Sequence, residues 1–449
     1  MAKKTQEKSQ LLDLFLHVAD ELGAGSDREV AQLAGVSVDN IANWRDGSVQ
    51  ELKAQTLKAI KDNLTTRLRS LEEKVRAIDS TIELGLIPID IEESSGPTAL
   101  QRQFVDRMIY DYLGHRFLYF EPQGALAWEN LIKAGYEQDR WLLAVRDCIR
   151  AWTDTSRDVG SACKGPIAHA VGLDRKGAAR GLDVISLGPG EGGKEVVILK
   201  ELLAAEATAT QGLSWLTLAL VDVSIPLLVT ATKSAKLVMS GVAGNVLAPK
   251  AVLAFCADFE EGDLSFVRRL PTASPQGESG RRLVLLLGNV FGNVRDEESF
   301  LRQKLTPLIR PGDMLWIDVG LRSDKIENDP LYPMTIADKE TSAAFTNRRL
   351  LLEGPYRRWE AAIGRTPSEL ETRVWIREGD DSCHVPGSVN FCHDLHIKNE
   401  RRVCTMLYSR RYQIEGLSRW LESNGFRVLR VSTVEDSHQR VLHLLAERV

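Results

Sequence analysis

Apolar positions between residues 182 and 320 fall into five short runs, each closing on small or polar residues. Leu182, Val184, Ile185 and Leu187 make the first, followed by Gly188-Pro-Gly-Glu-Gly-Gly193. Leu218-Ala-Leu-Val-Asp-Val-Ser224 is the second and contains Asp222; Ala251-Val-Leu-Ala-Phe-Cys-Ala-Asp-Phe259 is the third and contains Asp258. The fourth, Arg282 to Leu287, leads into Gly288-Asn289 and Gly292-Asn293, and the fifth spans Asp313–Gly320. Nearly continuous apolar runs, rather than alternating ones, predict strands buried on both faces, as in a parallel sheet. Helical spacing resumes between them, first over Glu195–Leu203. The fold class expected is α/β.

Outside these runs the pattern changes. Phe104–Leu113, Ala125–Ala134 and Arg140–Thr153 show three- and four-residue apolar spacing, which predicts a helical cap over 98–180. Residues 324–400 interrupt the strand series as a lid, within which Gly387–Ile397 alternates like a strand. A helix over Gln413–Ser423, closed by Gly425 as its C′ residue, then leads to strands Arg427–Val431 and Val441–Glu447.

The amino-terminal pattern is helical throughout. Ser26 and Glu29 form a capping box, Val30, Leu33 and Ala34 an apolar face, Gly35 a sharp turn, and Ser37 a second cap. In the next helix Ile41 and Trp44 point inward, leaving Asp39, Asn40, Asn43 and Arg45 outward. This resembles the phage-repressor type of helix-turn-helix over residues 1–62, with Leu11–Leu22 before it and Ala54–Lys61 closing it. DNA-binding members insert the second helix into the major groove, which would place Asn40, Asn43 and Arg45 at the bases. The segment from Met1 to Gly85 carries twelve basic and fourteen acidic residues, a net −2, so it lacks the basic excess that phosphate neutralisation rewards. DNA and a docked protein both stay open as its partner. Leu57, Leu64, Leu71 and Ile78, interleaved with Leu68, Val75 and Ile82, make a heptad seam. The seam predicts homo-oligomerisation through 57–82, or a long helix packed on its own chain. Residues 63–97, with Pro88, Pro97 and Ser94-Ser95-Gly96, read as this helix and a linker, and 98–449 as the catalytic domain.

Composition adds bounds. The chain has 449 residues, 43% hydrophobic and 27% charged, with net charge −5. That is ordinary globular usage, with no general electrostatic case for nucleic acid or membrane. The first residues lack the apolar core of a signal peptide, and no apolar run approaches the ~20 residues of a spanning helix. A cytoplasmic protein with its six cysteines as thiols is the expectation. Cys383-His384 and Cys392-His393-x-x-His396 are metal-type residues without standard zinc spacing, and on a strand they do not converge, so no metal is expected.

Successive strand ends carrying Gly, Asp, Asp and Asn form one crevice where open α/β sheets bind nucleotides. An acid at the second strand end accepts from a ribose diol and repels phosphate. The glycine turn lacks the Gly-Lys-Ser/Thr ending of a P-loop. The ordered set, Leu187-Gly-Pro-Gly-Glu-Gly-Gly-Lys-Glu195, Val221-Asp-Val-Ser224, Ala257-Asp-Phe259, Leu287-Gly-Asn-Val-Phe-Gly-Asn293, Arg310-Pro-Gly-Asp-Met-Leu315 and Thr341-Ser-Ala-Ala-Phe-Thr-Asn347, resembles the class I S-adenosylmethionine-dependent methyltransferases. Together with Phe117–Trp128 it is similar, more narrowly, to the histidine-specific methyltransferases of the ergothioneine pathway.

The resemblance implies a Rossmann-like seven-stranded sheet whose last strand runs antiparallel between its neighbours. S-adenosyl-L-methionine would be held by Gly188, Gly190, Gly192 and Gly288, with Asp222 on the ribose and Asp258 and Phe259 at the adenine. It places Asn289 and Asn293 where acceptor meets methyl group, and Tyr119, Phe120, Tyr136, Asn347 and Ser409 around the acceptor. Where that family has a glutamate gripping its amino-acid substrate this chain has Leu407, which binds no ammonium. The activity implied is N-methylation of an amine or imidazole in a small molecule or peptide, rather than free histidine. Two other readings stand beside it: a helix-turn-helix regulator sensing S-adenosylmethionine, and a modifier of a macromolecule docked by the amino-terminal domain.

Overall fold

The computed structural model describes residues 26–34, 36–45, 58, 88–107, 112–114, 116–120, 122–133, 139–156, 164–174, 180–209, 212–241, 250–265, 267, 270, 280–329, 332–335, 370–378, 383–397, 403–435 and 440–449. The chain divides into two compact units, Met1–Leu86 and Ile87–Val449.

In the first unit, α1 (Asp27–Ala34) and α2 (Val38–Arg45) pack through Val30, Ala31 and Ile41, all buried. Asp39, Asn40, Asn43 and Arg45 are exposed, as the pattern predicts, and Arg45 Nε lies 2.9 Å from Asp27 Oδ1. The expected helices Leu11–Leu22 and Ala54–Lys61, the seam over 57–82 and the Trp44 side chain lie outside the described residues, apart from Lys58 alone.

The second unit is built on an eight-stranded sheet of order β1-β4-β3-β2-β5-β6-β11-β10. Its strands are β1 (Ile89–Ile91), β2 (Leu182–Leu187), β3 (Leu216–Asp222), β4 (Lys250–Cys256), β5 (Arg281–Leu286), β6 (Met314–Gly320), β10 (Phe426–Glu435) and β11 (Arg440–Arg448). β11 lies antiparallel between β6 and β10, as the resemblance implies. The count exceeds the expected seven because β1 adds to the edge beside β4, with Ile89 opposite Ala254. The linker expected up to residue 97 is therefore corrected: Ile89–Ile91 is sheet, Ser95 is fully buried, and Pro97 opens helix α3 (Pro97–Arg107).

Alternation within each strand feeds two cores, one per face. Ile185, Leu187, Val284, Leu286, Leu315 and Ile317 face one, with helix α11 (Ile414–Ser423) contributing Leu417, Trp420 and Leu421. Leu182, Val184, Leu283, Leu285, Met314 and Trp316 face the other. That second core is covered by α6 (Asp139–Trp152), α7 (Pro166–Val171), α8 (Gly193–Thr208) and α9 (Ile225–Gly241). Every residue of β2, β3 and β6 is buried, which is why they read as continuous apolar runs.

The cap holds α4 (Arg116–Tyr119), α5 (Pro122–Lys133) and α6. The helix expected over Phe104–Leu113 is α3, which lies earlier in the chain. Tyr112 instead bridges Thr405, and the Leu113 N–H donates to the Thr405 carbonyl at 2.9 Å. The lid contains an antiparallel sheet of order β7-β8-β9, from β7 (Leu370–Glu378), β8 (Val389–Ile397) and β9 (Val403–Arg411). β8 bears out the expected strand, but its polar residues Asn390, His393 and Asp394 are buried rather than outward; β9 carries the insertion past residue 400 and is a strand the sequence reading lacks. α11 ends at Asn424 with Gly425 at φ 80° in the C′ position. Among the described residues no helix is long and apolar enough to cross a membrane.

Candidate functional site

The chain leaves β2 through three left-handed glycines: Gly188 (φ 70°), Gly190 (φ 58°) and Gly192 (φ 81°). The Gly188 N–H donates to the Val221 carbonyl at 2.8 Å, fastening the turn to β3. A Cβ at Gly188 would lie 3.1 Å from Val290 Cγ2 and 3.2 Å from Phe259 Cε1, and one at Gly190 would lie 3.0 Å from Trp128 Nε1. The backbone is thus open to a cavity that side chains would fill. Gly192 does not share this role: its Cβ would meet Ala231 Cβ at 2.7 Å, so it permits α8 to pack on α9. The expectation that Gly192 contacts a cofactor is corrected accordingly.

Asp222 ends β3 with its carboxylate buried. Oδ2 accepts from the Gly190 N–H at 3.2 Å and Oδ1 from the Ser224 N–H at 2.9 Å. A carboxylate at this strand end is the acceptor type that a ribose diol requires. Asp258 is differently committed. Its Oδ2 accepts from Arg116 Nη1, its Oδ1 from the Glu260 N–H at 2.9 Å, and its own N–H donates to Ser95 Oγ at 2.8 Å. Arg116 Nη2 also lies 3.0 Å from Glu261 Oε2. Burial opposes the charge on Arg116, but Asp258 and Glu261 outweigh it and raise its pKa. The expected free acceptor for an exocyclic amine is therefore, in this structure, half of a buried ion pair. Phe259 follows it, buried against Phe300 and lining the cavity.

Asn289 sits at φ 61°, the one non-glycine in the left-handed region among the described residues. Its N–H donates to Asp318 Oδ1 at 3.0 Å, as does that of Gly288, and its Oδ1 accepts from the Gly320 N–H at 3.0 Å. The amide thus ties β5 to β6, and the expectation that it meets an acceptor is revised. Its Nδ2 lies 3.0 Å from the Asn293 amide and 3.5 Å from Ser409 Oγ, and Asn293 does line the cavity. Asn289 instead lines a small neighbouring cavity with Lys194, Asp318 and His443. Burial holds the His443 imidazole below its ordinary pKa.

The opposite wall comes from the small sheet. His393 pairs with Leu407 and Phe391 with Ser409, so one face presents His393, Leu407, Ser409 and Arg411 to the cavity. The register shift of this pair falls after His393, beyond these residues. Arg411 Nε donates to Asp329 Oδ2 at 3.1 Å and Nη1 to Ser409 Oγ at 3.1 Å, locking the serine hydroxyl in place. From the cap, Tyr119 lines the cavity with its ring edge-on to Trp128 at 5.8 Å. Phe120 packs on Phe117 in the cap core instead, a correction to its expected place around an acceptor. Tyr136 and Asn347 lie outside the described residues.

One cavity, of about 110 Å³, therefore joins Gly188, Gly190, Asp222, Asp258, Phe259 and Gly288 with Asn293, Tyr119 and Ser409. Lining residues that were not read as site residues from sequence include Arg116, Lys194, His393 and Arg411. Lys194, directly after the glycine turn, had a local signal. The others had none, because their neighbours are distant in sequence. Among the described residues no cluster of His, Cys, Asp and Glu is arranged to hold a metal ion.

No family model matches the chain, and no curated protein matches it. Solved structures to which it is similar include the CcbJ methyltransferase from Streptomyces caelestis, at 12% identity over 68% of this chain and 96% of that one, TM-score 0.30. An S-adenosylmethionine-dependent methyltransferase from Clostridium acetobutylicum gives 11% identity over 72% and 96%, TM-score 0.30. The 1,6-didemethyltoxoflavin-N1-methyltransferase of Burkholderia thailandensis gives 12% over 72% and 88%, TM-score 0.31. Likenesses at these TM-scores carry no argument, and the α/β fold rests on the strand order itself.

Proposed function

We propose that the protein is an S-adenosylmethionine-dependent N-methyltransferase acting on an amine or imidazole of a small molecule or peptide. The observation that carries this reading is the shared cavity, with a glycine-lined, acid-ended nucleotide half facing a wall of His393, Leu407, Ser409 and Arg411. The nucleotide half fits the cofactor: Gly188 and Gly190 leave the space a Cβ would fill, and Asp222 brings a carboxylate to the cavity wall, the acceptor a ribose diol requires. Phe259, Leu287 and Val290 offer the apolar surface for a purine.

The cofactor supplies a methyl group already activated on a sulfonium, so the protein need only align an acceptor lone pair and exclude water. Ser409, held by Arg411, and Asn293 are placed to orient the acceptor. His393 is the side chain suited to receive the proton that an amine or imidazole releases. The narrower, histidine-specific reading is supported by the motifs alone and weakened by Leu407, which lines the acceptor half.

The exposed Asn40, Asn43 and Arg45 of α2 favour a helix-turn-helix role for the first unit, with DNA or a target protein as its partner and self-association through 57–82. To test the main reading, the full chain would be incubated with methyl-labelled cofactor and cell extract, and labelled products found by mass spectrometry. A labelled small molecule or peptide is expected. Absence of both label transfer and S-adenosylhomocysteine binding by calorimetry would refute it; binding without transfer would favour a sensor.

A further inference from the structure

We propose that the protein has a second ligand site, at the amino-terminal edge of the large sheet, which takes a phosphorylated small molecule. A cavity of about 360 Å³ opens there, at the strand ends opposite those that carry Gly188 and Asp222. Arg180 precedes β2, Arg281 opens β5, and Arg427 lies at the start of β10. Strand register brings them to one edge. Leu182 pairs with Arg281, Leu283 with Met314, Met314 with Glu447, and Glu447 with Arg427. The end of α7 walls the cavity with His169 and Gly172.

Part of the charge at this edge is unmatched. Arg180 is half-buried, and among the described residues its side chain makes no hydrogen bond or ion pair. Arg281 donates from Nη1 to the Pro311 carbonyl at 3.1 Å, while its Nε is buried without a partner. Arg427 pairs with Glu447, the one carboxylate lining the cavity. His169 Nδ1 lies 3.3 Å from Asp174 Oδ2. Leaving buried donors unmatched is costly, and guanidinium groups are matched best by the paired oxygens of a phosphoryl group. Pro166, Ala170, Met314 and Leu429 add apolar surface to the lining for the body of the ligand. Leu429 is the residue that the β10 irregularity leaves out of the ladder. A concave space that joins unmatched guanidinium donors to apolar surface selects a small phosphorylated molecule over an extended polyanion.

The site is independent of the methyl-transfer reading and is tested without it. Calorimetry on the full chain, in buffer free of phosphate and sulfate, would use inorganic pyrophosphate and ribose 5-phosphate as probes. At least one probe should bind at or below millimolar concentration, and Arg180→Gln should weaken it about tenfold, the loss expected for a charge-assisted contact. Arg281→Ala should weaken it further and Arg281→Lys should restore part of it, since lysine keeps the charge but not the fork. Arg180→Gln removes no bond within the protein, so its fold is expected to survive, which circular dichroism would verify. Asp222→Ala should leave probe binding unchanged. Failure of both probes to bind at about 10 mM would overturn the proposal. So would wild-type affinity in both Arg180→Gln and Arg281→Lys, or loss of probe binding in Asp222→Ala.

Discussion

One wall of the central cavity, from Gly188 to Asp258, is made of turns that follow neighbouring parallel strands. The facing wall, His393 to Arg411, is one side of an antiparallel hairpin inserted between β6 and α11. On the first wall Gly188, Gly190 and Asp222 are placed by their own strands, and the hydrogen bonds between them reach the adjacent strand only, as from Gly190 to Asp222, while Asp258 is tied in addition to Arg116 and Ser95. On the second, position depends on pairing register, where a slip of one residue turns every side chain to the opposite face. The first wall is general nucleotide-site chemistry. The second decides what is recognised, and it can diverge without touching the first. Leu407, standing where a resembling family has an acid, is a difference of that kind.

The largest expected effect tests the second wall. His393→Asn should lower turnover by about 10²–10⁴-fold, the usual contribution of a positioned proton acceptor. Affinity for S-adenosylhomocysteine should stay unchanged, whereas a merely structural histidine would lower affinity and turnover together. The first wall is tested by Asp222→Ala, which removes a ribose acceptor along with the partner of the Gly190 and Ser224 N–H groups. Affinity for S-adenosylhomocysteine should fall by roughly ten- to a hundredfold, from a loss of about 1–3 kcal/mol. Unchanged affinity by calorimetry would detach β3 from the nucleotide half.

The contrast between the walls also explains what could be read from sequence. The strand ends were legible because strands buried on both faces, as β2 and β3 are, leave continuous apolar runs with a polar stop, at Leu187-Gly188 and Val221-Asp222. Arg116 and Ser95 had no such signal, standing 142 and 163 residues from the Asp258 they hold. Ser95 was hidden further by its neighbours, since Ser94-Ser95-Gly96-Pro97 has linker composition although Ser95 is fully buried. β9 was missed because both of its faces are covered, Met406 by the cap core and Tyr408 by Tyr112, so its pattern does not alternate. Composition describes exposure well only where one face meets water.

Gly192 sharpens the comparison within the first wall. Its spacing from Gly188 and Gly190 suggests one shared role, yet it packs against Ala231 rather than lining the cavity. Gly192→Ala should therefore destabilise the fold by about 1–3 kcal/mol, through its positive φ and the overpacked helix contact. Cofactor affinity of the folded fraction should not change. Thermal unfolding and calorimetry on the same sample separate the two, and a loss of affinity at unchanged stability would return Gly192 to the site.

The smallest effect concerns Leu407. An α-ammonium or imidazole N–H in a closed cavity needs an acceptor, and a missing charged partner costs more than a neutral one. Leu407 lines the acceptor half and supplies none, so free L-histidine should be methylated slowly or not at all. Leu407→Glu should improve it, but only several-fold, because two effects oppose each other. The new carboxylate can hold the ammonium, yet its direct cross-strand neighbour is His393, within about 5 Å between Cβ atoms in such a pair. A carboxylate so near stabilises the imidazolium and makes it a poorer proton acceptor at neutral pH. Initial rates with free histidine for the variant and the unmodified protein would show this. Efficient methylation of histidine by the unmodified protein would overturn the argument, because Leu407 could then not occupy the position of the missing acid.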